Sequence, residues 1–321
     1  MTKSINRCLY CYQPLIENEI DFHPACSKKI FGQPVPPELP YSESQMEELA
    51  KQVVRSHVTV PGVQPKISLD LTELPASQNK YEPKRFTIVG LWGGYILKPP
   101  TKNYPQLPEV EDLTMHLAYI GKIKVVPHSL IRLRSGDLAY ITKRIDRSKK
   151  TKLHMEDMCQ LTERLTEEKY NGSYEQAAKA ILKYSINPGL DAVNFFEQLV
   201  FTFLTGNADM HLKNFSLIKM NNSGYILSPA YDMVATILVN PSDKEELALT
   251  LNGKKKKINR GDFVSAFTAS KLEAKQQQNI FKKMETAKDK WLGFIEISFL
   301  SSEYKNVYKE LIQERFSVLE K

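Results

Sequence analysis

A change of periodicity near residue 150 limits what this chain can become. Residues 57–145 read mostly as strands: His57-Val-Thr-Val60, Lys66-Ile-Ser-Leu-Asp-Leu71, Phe86-Thr-Ile-Val89 and Gly94-Tyr-Ile-Leu-Lys98, with more near 125–133 and 138–145. A tight Pro61-Gly62 turn joins the first two, and residues 109–120 interrupt the series as a helix. From about residue 153 helical spacing dominates, and Phe195 to Leu204, with Ala192, Val193 and Leu199, reads as a buried helix. A mixed half followed by a helical half predicts an α+β architecture with a cleft between the halves, a favoured place for ligands. Upstream, Gln33-Pro-Val-Pro-Pro-Glu-Leu-Pro40 cannot continue a helix and reads as a short stiff linker. Residues 42–56 then look helical, with Ser42 or Ser44 as N-cap. The expected divisions are therefore 1–40, 41–145 and 146–321.

Composition removes several classes. With 42% hydrophobic and 10% aromatic residues in 321, the chain can bury a substantial core, so disorder over most of its length is excluded. No window approaches eighteen uninterrupted apolar residues, which argues against a transmembrane helix. Residues Met1 to Cys11 lack the apolar region of a secretory signal. Export by a dedicated secretion system would leave no mark in that test. The net charge of +7 attracts polyanions without selecting one. Three of the four cysteines (Cys8, Cys11, Cys26, Cys159) crowd the first 26 residues, a pattern that fits a reducing cytoplasm better than a secreted disulfide scaffold.

The chemistry concentrates in Gly206-Asn-Ala-Asp-Met-His-Leu-Lys-Asn-Phe215, directly after the apolar helix. Asp209 and Asn214 have the D-x4-N spacing of kinase catalytic loops, where the Asp accepts the proton of the attacking hydroxyl and the Asn oxygen binds Mg2+. A polar turn capping the next strand would look the same. Farther on, Tyr225-Ile-Leu-Ser-Pro-Ala-Tyr-Asp-Met233 leads a strand into Asp232, a candidate second metal-binding carboxylate. Lys98 ends the strand Tyr95–Lys98 and Glu111 follows on a helix, matching the Lys–Glu pair that orients nucleotide phosphates. Thr59-Val-Pro-Gly-Val-Gln-Pro-Lys66 joins two strands, with Gly62 permitting close backbone approach.

Together, V-P-G-V-Q-P-K (60–66), M-E-D-M-C-Q (155–160), G-N-A-D-M-H-L-K-N-F (206–215) and L-S-P-A-Y-D (227–232) resemble the HipA family of bacterial toxin kinases. The resemblance implies a protein-kinase-like fold, with a mixed N-lobe over 41–145 and a helical C-lobe over 146–321. It implies a Ser/Thr protein kinase that uses ATP and Mg2+. Asp209 would be the catalytic base, and Asn214 and Asp232 would hold the metal. Lys98, with Glu111, would grip phosphate. Pro61, Gly62, Val63, Gln64, Lys66, His211, Lys213 and Tyr231 would surround the nucleotide. Lys143-Arg-Ile-Asp-Arg147 resembles the hinge, with backbone groups from Lys143 to Ile145 at adenine and Asp146 at ribose. The family usually has Glu where Lys143 stands. Met155 to Gln160 reads as a structural helix start.

The glycine loop begins near residue 59, about a hundred residues earlier than in full-length HipA, so the chain is most similar to the short HipT toxins of HipBST systems. That implies a separate HipS-like protein supplying the missing subdomain, a HipB-like helix-turn-helix antitoxin that contacts DNA, and a translation-factor substrate, above all an aminoacyl-tRNA synthetase. Thr59, with Ser56 nearby, stands where the family carries its regulatory autophosphorylated serine; phosphate there would disfavour nucleotide binding.

Cys8-x2-Cys11-x11-His23-x2-Cys26 matches a structural zinc site; unmetallated thiols are the other reading. Lys254 to Lys257 reads as a solvated turn, and His116, His128 and His154 lack partners at metal spacing. Two rival functions remain at this stage. One is a nucleic-acid-binding regulator with a degenerate kinase core, using the cysteine segment and Lys254–Lys257. The other is a small-molecule kinase of the aminoglycoside type.

Overall fold

The computed structural model describes residues 6–46, 48, 66–72, 84–89, 93–148, 151–220 and 224–320. Ser56, Thr59, Pro61, Gly62, Val63 and Gln64, the strand expected at 57–60 and most of the helix expected at 42–56 lie outside these residues. The chain divides into two compact units: Met1–Asp112 with Val126–Ile145 and Ile297–Phe299, and Leu113–Val125 with Asp146–Glu296 and Leu300–Lys321.

The first unit is built on a five-stranded antiparallel sheet. Its strands are β1 (Ile67–Thr72), β2 (Arg85–Ile88), β3 (Tyr95–Lys98), β4 (His128–Arg132) and β5 (Leu138–Lys143), in the order β2-β1-β3-β5-β4. Register aligns Ile67 with Leu97 and Leu97 with Ile141, so buried aliphatic side chains lie side by side across the middle of the sheet. One residue on, Lys98 pairs with Tyr140 and takes the opposite face, since successive strand residues alternate. Helix α1 (Pro24–Phe31) has proline at its first position and ends on Gly32 in the left-handed region (φ 79°), where glycine has no Cβ to clash. Phe22, Phe31, Phe86 and Tyr95 form a chain of edge-on ring contacts at 5.3–5.7 Å that fixes α1 to the sheet. Helix α2 (Leu107–Ile120) begins in this unit, where it buries Val110, Glu111 and Asp112.

The second unit is helical apart from a three-stranded antiparallel sheet of β6 (Met155–Asp157), β7 (Ser216–Lys219) and β8 (Tyr225–Leu227), and a short ribbon pairing Arg147–Ser148 with Thr151–Lys152. Its helices are α3 (Met158–Leu161), α4 (Tyr174–Tyr184), α5 (Pro188–Leu204), α6 (Thr236–Val239), α7 (Arg260–Ala269), α8 (Ala274–Glu296) and α9 (Ser302–Glu320). Capping boxes start three of them: Asp157 with Gln160, Ser173 with Gln176, and Asn259 with Asp262. The apolar helix foreseen over 195–204 is the last part of α5, which is buried on nearly every side. Its aromatic rings pack at 4.9–5.6 Å against Phe215, Phe263, Phe267 and Trp291. Among the described residues no helix is long and apolar enough to cross a membrane.

Candidate functional site

In the first unit the chemistry gathers on the face of β3 that carries Lys98. Lys98 and Glu111 form an ion pair, and both are buried, with side-chain exposures of 6% and 1%. Such a pair is tolerated only because each charge compensates the other. The Lys98 ammonium also lies 5.4 Å from the ring centre of Tyr140, its cross-strand neighbour. Next along α2, fully buried Asp112 accepts hydrogen bonds from the Tyr12 hydroxyl at 2.8 Å and from His128 Nδ1 at 2.7 Å. His128, which shows no partner at metal spacing in the sequence, thus has a carboxylate partner, reached across space rather than along the chain. One turn earlier, burial, reinforced by Asp112 and Asp137, pushes the Glu109 carboxyl up to about 7.

At the end of β5 the Lys143 N–H donates to Pro127 O and the Arg144 N–H to Gly94 O, each at 2.9 Å. The expected hinge therefore has two of its backbone donors already engaged. Lys66, just before β1, is exposed.

The second unit holds the other cluster. Helix α5 ends at Leu204 with Thr205 as its C-cap, and Gly206 turns the chain in the left-handed region (φ 65°). A Cβ there would come within 2.6 Å of Ile237 and 2.7 Å of Leu311, so the turn accepts only glycine without rearrangement. Asn207 Oδ1 then accepts the Asp209 N–H at 3.0 Å, and the Asp209 carbonyl accepts both the His211 N–H and the Asn214 side-chain N–H at 2.8 Å. Asn214 ends a short 3-10 turn (Leu212–Asn214) and is buried. With its amide nitrogen on Asp209, it has its amide oxygen to offer a cation. The Asp209 carboxylate is 44% exposed, and its Oδ1 accepts the Tyr170 hydroxyl at 2.5 Å.

His211 Nε2 lies 3.9 Å from Asp209 Oδ1, and its ring meets Tyr170 edge-on at 4.9 Å. Burial lowers the His211 pKa to about 4 against the opposing charges of Asp209 and Asp232, so the ring is neutral near pH 7. His211 Nδ1 and Asn207 Nδ2 are buried with no hydrogen-bond partner among the described residues. Lys213 is paired with Asp157 at 2.8 Å. Tyr231 shares a hydrogen bond with Ser216 at 2.5 Å and donates to Lys213 O at 3.0 Å, which ties the approach to Asp232 back to the turn. Asp232 adopts the left-handed region (φ 54°), uncommon for a residue with a Cβ though least costly for Asp and Asn. Asp146 accepts from Arg147 Nη1 at 2.5 Å.

The structure thus joins Lys98 with Glu111, and Asp209, His211, Lys213, Asn214, Tyr231 and Asp232 with one another. Sequence reasoning missed Tyr170 as the partner of Asp209, because nothing in its Lys-Tyr-Asn-Gly surroundings forms a motif. It also missed Tyr12, Asp112 and His128. Asp157 was read only as a helix start; it caps α3 and also neutralises Lys213. Outside the site, Lys254 pairs with buried Asp262 at 2.7 Å and Lys255 with Glu245 at 3.3 Å, so half of the Lys254–Lys257 run is engaged within its own unit.

The chain is similar to several known proteins. Residues 58–291 match the family described as HipA-like C-terminal domain. A Haemophilus influenzae protein named "Putative kinase" is 30% identical over 252 residues, covering 72% of this chain and 68% of that protein. Another, "Putative kinase Y4dM" of Sinorhizobium fredii, is 31% identical over 210 residues, covering 61% of this chain and half of that protein. Among solved structures, a chain of the Shewanella oneidensis MR-1 complex of HipA, HipB and operator DNA superposes with a TM-score of 0.68 at 19% identity, covering 87% of this chain and 71% of its own. The Helicobacter pylori proinflammatory kinase CtkA gives 0.54 at 17% identity, covering 78% and 93%. These two likenesses establish the kinase-like α+β fold. With a family match that extends over most of its length, the chain belongs to the HipA-like C-terminal domain family.

Proposed function

We propose that the chain is a HipA-type Ser/Thr protein kinase that transfers the γ-phosphate of ATP to a protein hydroxyl. The observation that carries this reading is the bonded turn from Asn207 to Asn214, which holds a half-exposed carboxylate and a buried amide at fixed positions, together with the buried Lys98–Glu111 pair. The residues fit the groups the reaction needs. Asp232 and Asn214 offer hard oxygen ligands suited to Mg2+, and the buried polar atoms His211 Nδ1 and Asn207 Nδ2, without a hydrogen-bond partner among the described residues, support a polar site at this turn.

When bound, Mg2+ neutralises charge on the phosphates. Asp232 and Asn214 would hold it. Lys98, kept extended by Glu111, would bind phosphate oxygens. Asp209 orients the substrate hydroxyl and accepts its proton as the new O–P bond forms and the bond to the ADP oxygen breaks. Tyr170 holds the Asp209 carboxylate in place before substrate arrives. Neutral His211 and the Lys213–Asp157 pair keep net charge near the base low. Adenine would meet the carbonyls of Lys143 to Ile145 or the Ile145 N–H, since two of the other donors are engaged; Asp146 and the segment Pro61, Gly62, Val63, Gln64 and Lys66 complete the nucleotide contacts.

Within the family we assign the chain to the HipT-like branch, with 41–145 and 146–321 as the kinase lobes. The chain then acts in the bacterial cytoplasm beside a HipS-like companion and a HipB-like DNA-binding antitoxin. Its substrate is an aminoacyl-tRNA synthetase, and Thr59 or Ser56 is its autophosphorylation site. Transfer from γ-labelled ATP into synthetases of the source cell, compared between wild type and Asp209→Gln, tests this. Labelling by wild type alone is expected; equal labelling would reject the mechanism, and transfer only to small hydroxyl compounds would reject the protein substrate.

A further inference from the structure

We propose that Cys8, Cys11, His23 and Cys26 bind one structural zinc ion, which closes residues 6–32 into a small module seated on the five-stranded sheet. The four ligand atoms all lie within 4.8 Å of one another. His23 Nδ1 is 3.4 Å from Cys11 Sγ and 3.7 Å from Cys26 Sγ. Tetrahedral zinc, bound at ~2.3 Å to sulfur and ~2.0 Å to nitrogen, sets ligand-to-ligand edges of roughly 3.5–3.8 Å. The two His23–cysteine separations lie close to such an edge, and the whole set is gathered within 4.8 Å. The three cysteines are free thiols rather than disulfide partners.

The ring of His23 adds an independent observation. Its Nε2 is 3.1 Å from the carbonyl oxygen of Pro14, with the Glu19 carboxylate at 3.7 Å. A carbonyl only accepts, so Nε2 carries the hydrogen and Nδ1 keeps its lone pair toward the sulfurs. This is the tautomer that a metal-bound imidazole requires, and an outer carbonyl or carboxylate is the usual device that fixes it. Four protein ligands complete a tetrahedron and leave no position for substrate, so the ion is structural. Binding releases the three thiol protons to solvent.

The backbone is already shaped for such an ion. A turn closed by the Tyr12 N–H on Cys8 O, at 2.9 Å, presents the first ligand pair, and Tyr12 takes the left-handed region to make it. The second pair sits where α1 begins, with the Cys26 N–H on His23 O at 2.9 Å. Apart from α1 the segment has little regular structure, and a unit of this size rarely folds without a metal or disulfides. It is nevertheless bound firmly to its own unit. Leu9 O accepts from the Leu130 N–H at 3.3 Å and from Ser129 Oγ at 3.1 Å. Arg132 grips Asp21 through Nε and Nη2. Tyr12, the residue after ligand Cys11, donates to Asp112, the neighbour of Glu111. The zinc ion is the clasp that keeps that tyrosine in position.

Elemental analysis of the full chain, prepared with zinc and reductant present and then desalted, tests the proposal. One zinc per chain is expected, retained by Cys159→Ser and lost from the Cys11→Ser/Cys26→Ser variant. Where that variant fails to fold, the wild type decides: exchange with Co2+ should give the strong visible absorption of tetrahedral cobalt with a thiolate charge-transfer band. Chelation should lower the melting temperature, and zinc should restore it. A cooperatively melting chain without zinc would overturn the proposal. So would weak, octahedral-type cobalt absorption, or a Cys11–Cys26 disulfide recovered from cells lysed into a thiol-blocking reagent.

Discussion

In the proposed kinase Asp209 would meet its substrate already hydrogen-bonded. Because Tyr170 donates to Oδ1 and the backbone of the turn fixes the rest, the carboxylate loses little freedom when a hydroxyl arrives. Asp209→Asn should lower phosphoryl transfer by roughly 10²–10⁴-fold. Its melting curve should move by no more than about 0.5 kcal/mol, because the side chain is half-exposed. Labelled-ATP assay and thermal melt report the two effects separately. Lys98 behaves differently. Lys98→Met leaves Glu111 charged and buried, so it should both abolish transfer and destabilise by about 3–5 kcal/mol, whereas Lys98→Met/Glu111→Leu should regain most of that stability. Urea titration of the two variants checks it. Glu109 supplies a pH signature. Its folded pKa, about 7, lies above the unfolded value, so the folded state binds the extra proton and loses stability as pH rises from the ordinary carboxylate range through 7. Glu109→Gln should therefore be more stable than wild type at pH 8, by about 1–3 kcal/mol, and the gap should close below pH 5.

Elements were legible wherever a period runs along the chain. The strand expected at 94–98 is Tyr95–Lys98, the one at 138–145 is Leu138–Lys143, and the helix expected at 109–120 is Leu107–Ile120. Lys98 and Glu111 were legible for the same reason, since each sits at a predictable place on its element. Tyr170, Tyr12 and Asp112 were not, because a hydrogen bond between residues far apart in sequence leaves no local pattern. Asp191 is a further case. It stands in the first turn of α5, buried, where it accepts from Ser185 Oγ at 2.5 Å and from the Leu227 N–H at 2.8 Å, and so fastens β8 to the helix. Asp191→Ala leaves both donors buried and should cost about 1–3 kcal/mol. Hydrogen exchange should show the loss first in β8.

For the molecule as a whole, the formal charge of +7 is not concentrated in the Lys254–Lys257 run, since Lys254 and Lys255 are matched by Asp262 and Glu245. Asp262 stays ionised despite the burial that opposes it, because Lys254 and Asn252 donate to it and hold its pKa below the usual range. Nucleotide binding gives a global test of the proposed kinase. Mg2+ and ATP together, at about a hundred times the Kd, should stabilise the chain by about 2.7 kcal/mol. Asp232→Asn should lose most of that gain, while ATP without Mg2+ should give little. Differential scanning fluorimetry reads all three.

Gly206 carries one more implication. The space where its Cβ would stand is filled by Ile237 and by Leu311 from α9, the 19-residue helix that ends the described chain. The turn before Asp209 is thus shaped by a segment far from it in sequence. A chain cut before Ser302 would keep Asp209, Asn214 and Asp232 yet lose Leu311 from beside this turn, so the turn should loosen there first.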